Sequence, residues 1–239
     1  MTKACNVVGA LALLSLSLAA SSPVLAQAPK AQTPADAKSS NAPDDKPAAA
    51  PGAPAAATVH VTGFRSAQFG TGDAEVRAAI AKDFPGDAGT IKASSNLAER
   101  TQILTVKVAD IIPDGGAADV SYVFGFKSKK LIQVNVLWSR ATDPKITPER
   151  LLADGDTLRD YLLTAGYNPA TITANTRVSS GVLLFRGSDA DNHTTALILQ
   201  GVVTAADKGG GNFVPAGLLL FYAADAANPD VFKIQPGKF

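Results

Sequence analysis

Three successive segments in the middle of the chain alternate apolar and polar residues with a period of two. In the first segment, Leu104, Val106 and Val108 alternate with Thr105 and Lys107. Because successive side chains of a strand point to opposite faces of a sheet, this period indicates half-buried β-strands. The apolar positions of the second segment are Val120, Tyr122, Phe124 and Phe126, and those of the third are Ile132, Val134, Val136 and Trp138.

The connections between these segments indicate how the strands pair. Residues 113–116 (Pro-Asp-Gly-Gly) form a turn sequence, and residues 127–130 (Lys-Ser-Lys-Lys) are a short polar connection. Parallel strands need a crossover of about a dozen residues or more, so the three strands are predicted to form an antiparallel meander. Their aromatic residues fit a buried sheet face beneath a helix better than a ligand groove, which is the alternative.

A helix is predicted before this meander. Gly72 is its expected N-cap, and Glu75, three residues later, is the matching capping-box partner. Residues 85–86 (Pro-Gly) end the helix. Its buried face at helical spacing comprises Val76, Ala79, Ile80 and Phe84.

The same order of elements recurs in the second half of the chain. Thr147 as N-cap and Pro148 at the first helical position begin a second helix, which ends at Gly166. Strands are then predicted at about 171–178, 181–187, 194–204 and 214–222, with a short one near 231–234. The predicted buried stripe of the second helix comprises Leu151, Leu152, Leu158, Tyr161 and Leu162.

These elements predict an α+β fold, in which helices pack on one face of an antiparallel sheet. The globular domain is expected to span residues 58–239. It contains two helix-plus-antiparallel-meander halves, near 58–141 and 142–239, packed as one globular unit. No residue-level repeat relates the two halves.

The N-terminal residues have the three parts of a secretory signal peptide. Lys3 supplies the positive charge, and residues 7–20 form an apolar stretch that is too short to span a bilayer. Val24 and Ala26 occupy the −3 and −1 positions of a cleavage site. Cleavage after Ala26 is therefore predicted, with an uncleaved anchor as the alternative, and the mature protein is expected to be periplasmic or secreted. Cleavage also removes Cys5, the only cysteine.

Residues 27–57 form a linker of different composition. Of its 31 residues, 12 are alanine and 6 are proline, and none is aromatic, valine, isoleucine, leucine or methionine. Such a segment cannot bury enough apolar surface to offset its ordering entropy, so it is predicted to be disordered. We interpret it as a spacer, with a tether that holds the domain away from a membrane as the alternative.

Charge limits the classes of partner. Removal of Lys3 leaves 21 basic residues against 21 acidic ones, so the mature chain has no net charge. A neutral chain without a basic stripe argues against nucleic acid as a partner. The local basic cluster Lys127, Lys129 and Lys130 is a candidate contact for an acidic partner or lipid headgroups, with a solvated turn as the alternative.

The search for catalytic residues identifies no constellation. The sequence lacks a Gly-x-Ser-x-Gly nucleophile elbow, and its two histidines, His60 and His193, are too distant to give zinc-ligand spacing. Residues 187–192 carry oxygen ligands at alternating positions, as a calcium loop does, but lack the glycine and terminal glutamate of that motif. We interpret them as a hairpin turn and predict no catalytic, cofactor-binding or metal-binding residue.

Residues 64–76 (Phe-Arg-Ser-Ala-Gln-Phe-Gly-Thr-Gly-Asp-Ala-Glu-Val) carry a family resemblance. A Phe-Gly pair that leads into a helix containing Glu-Val resembles the first element of the small outer-membrane assembly lipoproteins and of β-lactamase-inhibitor-like modules. The chain has Thr71 and Gly72 where Met and Ser are usual. It is also similar to uncharacterised exported proteins of proteobacteria. The resemblance implies helices on an antiparallel sheet and binding to other proteins.

Together these features predict a non-enzymatic binding module of the periplasm or envelope. Its partner would be an envelope protein or another envelope component, and no transmembrane span would remain after signal cleavage. Two alternatives stay open. One is a carrier of a small apolar ligand held between helix and sheet. The other is an envelope hydrolase whose carboxylates meet only in the fold.

Overall fold

The computed structural model describes residues 58–204, residues 212–234 and Gly237. The predicted signal peptide (1–26) and linker (27–57) lie outside these described residues. The described chain contains two α-helices, an eight-stranded antiparallel sheet and a two-stranded hairpin. This mixture confirms the α+β content that the sequence predicts, with more strand than helix.

The first part of the chain contains one helix followed by four strands. The hairpin at its start consists of β1 and β2, and a 3-10 turn at Ala88–Thr90 links the helix to the large sheet. The elements are β1 (Gly63–Phe64), β2 (Ala67–Gln68), α1 (Asp73–Asp83), β3 (Lys92–Asn96), β4 (Thr101–Val108), β5 (Ala118–Phe124) and β6 (Leu131–Ser139).

The second part also contains one helix followed by four strands. A 3-10 turn at Pro169–Thr171 links the helix to the first of these strands. The elements are α2 (Pro148–Thr164), β7 (Thr173–Val178), β8 (Gly181–Ser188), β9 (Thr194–Thr204) and β10 (Asn212–Ala223).

The strand order of the large sheet is β3-β4-β5-β6-β10-β9-β8-β7. The two meanders are joined in the middle by antiparallel pairing of β6 with β10, in which Val136 lies opposite Leu220 and Trp138 opposite Leu218. Hydrogen bonding of the sheet is therefore continuous from β3 at one edge to β7 at the other.

Both helices pack on the same face of this sheet. Val76 and Ile80 of α1 and Leu151 and Leu162 of α2 belong to one hydrophobic core, together with inward-facing strand residues. Trp138, Tyr122 and Phe124 are among its largest side chains and have less than 2% of their surface exposed. The interpretation of these aromatic residues as core is thus confirmed.

The helix termini form as the sequence predicts. At α1, Gly72 N donates to Glu75 Oε2 at 2.7 Å. At α2, Arg150 N donates to Thr147 Oγ1 at 3.2 Å. Gly166 follows α2 with φ +90°, a left-handed conformation that glycine adopts without strain.

The predicted buried stripe of α2 is wrong at two positions, because Leu152 is 44% and Tyr161 68% exposed. The helix instead turns Leu151, Gly155 and Leu162 towards the sheet. A Cβ atom at Gly155 would lie 2.8 Å from a Leu184 methyl carbon, so this glycine permits a close approach. Leu152 is one residue round from that face, and its side chain points outwards.

Two strand predictions also need correction. Residues 231–234 form no strand. Val231 N donates to Pro229 O and Phe232 N donates to Glu99 O, so these N–H groups do not pair with a neighbouring strand. Phe126 lies beyond the end of β5, and its ring meets that of Phe232 edge-on at 5.5 Å. The C-terminal segment therefore crosses the strand-connecting turns instead of extending the sheet.

The N-cap of α2 provides a test of this fold. Thr147→Ala is expected to lower the free energy of unfolding by about 1 kcal/mol, because Arg150 N loses its acceptor. Chemical denaturation of the purified protein measures the difference. Thr157→Ala is the matched control, since Thr157 is exposed inside the same helix and alanine has the higher helix propensity. Equal losses in the two variants would contradict the capping role.

Candidate functional site

The sheet face that points away from α1 and α2, called here the open face, has a polar half on β4, β5 and β6. Thr105 and Ser121 are cross-strand neighbours whose hydroxyl oxygens lie 2.9 Å apart. Gln133 Nε2 donates to Asn135 Oδ1 at 2.7 Å. Ser121, Gln133 and Asn135 are all buried, and these two hydrogen bonds give their polar groups partners within the sheet.

The other half of the open face, on β7 to β10, is apolar and forms a second hydrophobic cluster. Neither helix contributes a residue to it. A β-bulge in β8 separates the two clusters: Leu183 belongs to the open face, whereas Leu184 and Phe185 both belong to the core. An extra residue shifts the alternation of a strand, which explains the change. The apolar half comprises Val178, Leu183, Ala196, Ile198, Leu219 and Phe221.

Beyond this apolar cluster, whose central residues are buried, the same face carries an exposed pair of valines. Val202 lies four residues after Ile198 on β9 and therefore shares its face, and Val214 of β10 is the cross-strand partner of Val202. The exposed fractions are 60% for Val202 and 39% for Val214. Val203, which is 55% exposed, points to the opposite face of the same strand. The open face thus offers apolar surface to solvent at this end of the sheet.

A cleft of about 530 Å³ opens beside β3, β4 and β5, on the side of the sheet where β3 is the edge strand. Main-chain N–H groups of Lys145 and Ala117 donate to the Asp143 carboxylate and hold its pKa below the usual range. Asp143 is therefore ionised at neutral pH. The charged lining residues are Asp87, Lys92, Lys107, Asp119 and Asp143.

The sequence-predicted contact residues Lys127, Lys129 and Lys130 lie on the turn between β5 and β6, and all three are exposed. Lys129 Nζ lies 5.5 Å from the centroid of the Phe126 ring. The turn therefore presents three positive charges to solvent, and their role in partner contact stays a prediction.

Asp230, far away in sequence, holds this turn in place. Its carboxylate accepts hydrogen bonds from Ser128 N at 2.8 Å and from Lys127 N at 3.1 Å. Partial burial raises the pKa of Asp230, but the N–H donors and the Lys127 charge outweigh it, so the pKa lies below the usual range. The ionised carboxylate therefore stabilises the folded turn.

The structure places each of the two histidines beside an aspartate of the β8–β9 turn, although the sequence analysis predicted no ligand set from them. His60 Nδ1 lies 3.9 Å from Asp191 Oδ2, and His193 Nδ1 lies 3.4 Å from Asp189 Oδ2. The possible ligand atoms of Asp189, Asp191 and His193 all lie within 4.8 Å of one another. His60 and His193 are far apart in the sequence, so their spacing along the chain does not indicate that both lie beside the same turn.

The turn that resembles a calcium loop is built by one of these aspartates. Asp189 Oδ1 accepts hydrogen bonds from Asp191 N and His193 N, both at 2.9 Å. Its other oxygen, Oδ2, accepts one from Val61 N at 2.8 Å. These contacts agree with the hairpin-turn interpretation and fix the start of the described chain to the β8–β9 connection.

Comparison with known proteins finds no matching family model, no matching curated protein and no matching solved structure. The resemblance of residues 64–76 to envelope binding modules therefore stays a prediction. Among the described residues, no helix combines the length and the apolar character that crossing a membrane requires.

The lowered pKa of Asp230 predicts a pH dependence of stability. Because the folded pKa lies below the ordinary value of about 3.9, the contribution is present above that value and lost as pH falls through the folded pKa. Asp230→Asn should therefore lower stability at pH 7 and flatten its fall between about pH 5 and pH 2. Denaturant unfolding at a series of pH values measures both effects, and an unchanged slope would contradict the assignment.

Proposed function

We propose that the protein is a non-enzymatic binding module of the bacterial envelope that binds a partner protein through the apolar half of its open face. The observation that supports this most is the exposed pair Val202 and Val214, which lies on the same face as the buried apolar cluster of β7 to β10, to which neither helix contributes. Contiguous exposed apolar surface on soluble domains commonly marks an interaction site.

The two halves of the open face define the chemistry of the partner. An apolar segment of the partner would cover the exposed valine pair and remove it from water, which is favourable in proportion to the apolar area buried. A polar segment would lie over β4 to β6, where Thr105 and Lys107 remain only partly buried or exposed. The Lys127–Lys130 turn would add contacts to an acidic neighbour.

The two alternative functions have weaker support in the geometry. A carrier of an apolar ligand would need an apolar cavity between helix and sheet, whereas the 530 Å³ cleft has lysines and aspartates as five of its ten lining residues. A hydrolase that uses paired carboxylates would need one of them to act as the general acid, and Asp143 of the cleft does not fit that role because its pKa is lowered. The binding module is therefore the function that we prefer.

The valine pair gives a sharp test. The double variant Val202→Lys, Val214→Lys should lose a partner that cross-links to the tagged protein in intact cells, because lysine would place charge in an apolar interface. Val203→Lys is the matched control, since Val203 neighbours Val202 and is similarly exposed but points to the other face. It should keep the partner.

Two further measurements, thermal stability and partner recovery, decide the result. Thermal unfolding of all variants should match the parent, since exposed substitutions change stability by about 0.5 kcal/mol or less. Recovery of the same stoichiometric partner by the double variant would refute the open face as the interface. Equal loss in the Val203→Lys control would refute it as well.

A further inference from the structure

We propose that Asp189, Asp191 and His193, completed by the neighbouring His60, form a binding site for one divalent transition metal ion, with zinc as the best match. Two imidazoles and two carboxylates are a donor set that zinc accepts. The two histidines are the only ones in the chain: His193 belongs to the same short turn as the two aspartates, and His60 reaches Asp191 from the start of the domain.

One ligand–ligand distance already matches a tetrahedral ion, and the others would shorten when the ion binds. Zinc–nitrogen and zinc–oxygen bonds of about 2.0–2.2 Å place neighbouring ligand atoms roughly 3.3–3.5 Å apart. His193 Nδ1 and Asp189 Oδ2 are already 3.4 Å apart. His60 Nδ1 and Asp191 Oδ2 are 3.9 Å apart, and both side chains are about two-thirds exposed and free to move inwards.

Charge favours a cation at this position. The two carboxylates with neutral histidines carry a charge of −2, which a divalent ion would balance. Over residues 58–204 and 212–234, the two histidines are the only basic side chains within 4 Å of these carboxylates. Asp189 is fully buried, and backbone N–H donors hold its oxygens in place, so half of the site is rigid before a metal binds.

An unsatisfied nitrogen points to the same conclusion independently. His193 Nδ1 is buried and has no hydrogen-bond partner, although it faces the Asp189 carboxylate. A buried polar atom without a partner is costly, and native structures seldom retain one without a reason. Metal coordination through the lone pair of this nitrogen would satisfy it. The His193 ring lies 5.5 Å from the Phe69 ring, which restricts its orientation.

The site would fasten the beginning of the domain. His60 directly follows Thr58 and Val59, whose main-chain N–H groups both donate to Gly166 O. Asp189, Asp191 and His193 belong to the β8–β9 connection. A bound ion would therefore join the segment that follows the linker to the body of the sheet, and metal binding and folding would be coupled.

The experiment uses the exported protein, purified without a polyhistidine tag and stripped with EDTA. Zinc chloride is titrated by calorimetry, and thermal unfolding is recorded with and without zinc. We expect one zinc ion per chain, and a rise in Tm of about 5 °C or more at a hundredfold excess over Kd. Cobalt(II) in place of zinc should give the visible absorption of a tetrahedral centre.

The variants His60→Gln and Asp191→Asn should each weaken zinc binding at least about tenfold while leaving the zinc-free Tm close to that of the parent. Asp160→Asn is the matched control, because Asp160 is 69% exposed on α2 and is not part of the site. It should bind zinc like the parent. Absence of saturable binding by the parent protein would overturn the proposal. So would parent-like affinity in either the His60 or the Asp191 variant.

Discussion

The packing of both helices against a single face of one sheet is the constraint on which the other features depend. α1 and α2 bury their apolar residues in one continuous core with inward-facing strand residues, which include the fully buried Trp138 and Tyr122. An eight-stranded antiparallel sheet has two faces of similar area, and helices on one side leave the other to be managed by side chains alone. The protein does this with hydrogen-bonded polar residues on β4 to β6 and apolar residues on β7 to β10. The apolar half leaves Val202 and Val214 exposed, which is the surface that we propose a partner covers.

Much of the fold is predictable from the sequence because local patterns determine it. Alternation in β4, β5 and β6 and the Thr147-Pro148 helix start both reflect short-range rules. The structure agrees with them except at Phe126, which lies beyond β5, and at Ile132, where a bulge puts Leu131 in the core instead. The strand β3 has no such pattern: its residues Lys92–Asn96 are polar or small and mostly exposed. It forms because its main chain pairs with β4, and pairing between strands is not encoded in one strand alone.

The candidate sites were less predictable for the same physical reason. The open face depends on a bulge at Leu184 that moves a neighbouring side chain to the other side of the sheet, and no residue type signals it. His60 reaches the turn that carries His193 because Val61 N donates to Asp189 Oδ2 across a separation of 128 residues. Sequence spacing reports ligands on one turn or helix, and it carries no signal for a contact that only the completed fold creates.

The central position of β10 has a consequence for how the protein reaches its mature form. This strand is the last regular element along the described chain, yet it lies between β6 and β9 and is the only link between the two meanders. A chain that emerges from its N-terminus cannot close the sheet until residues 212–223 have appeared. Contacts between distant segments also form slowly. If the chain is exported as predicted, its sheet would still be incomplete until the last strand has been made, and the fold would be completed only after the chain has left the cytoplasm.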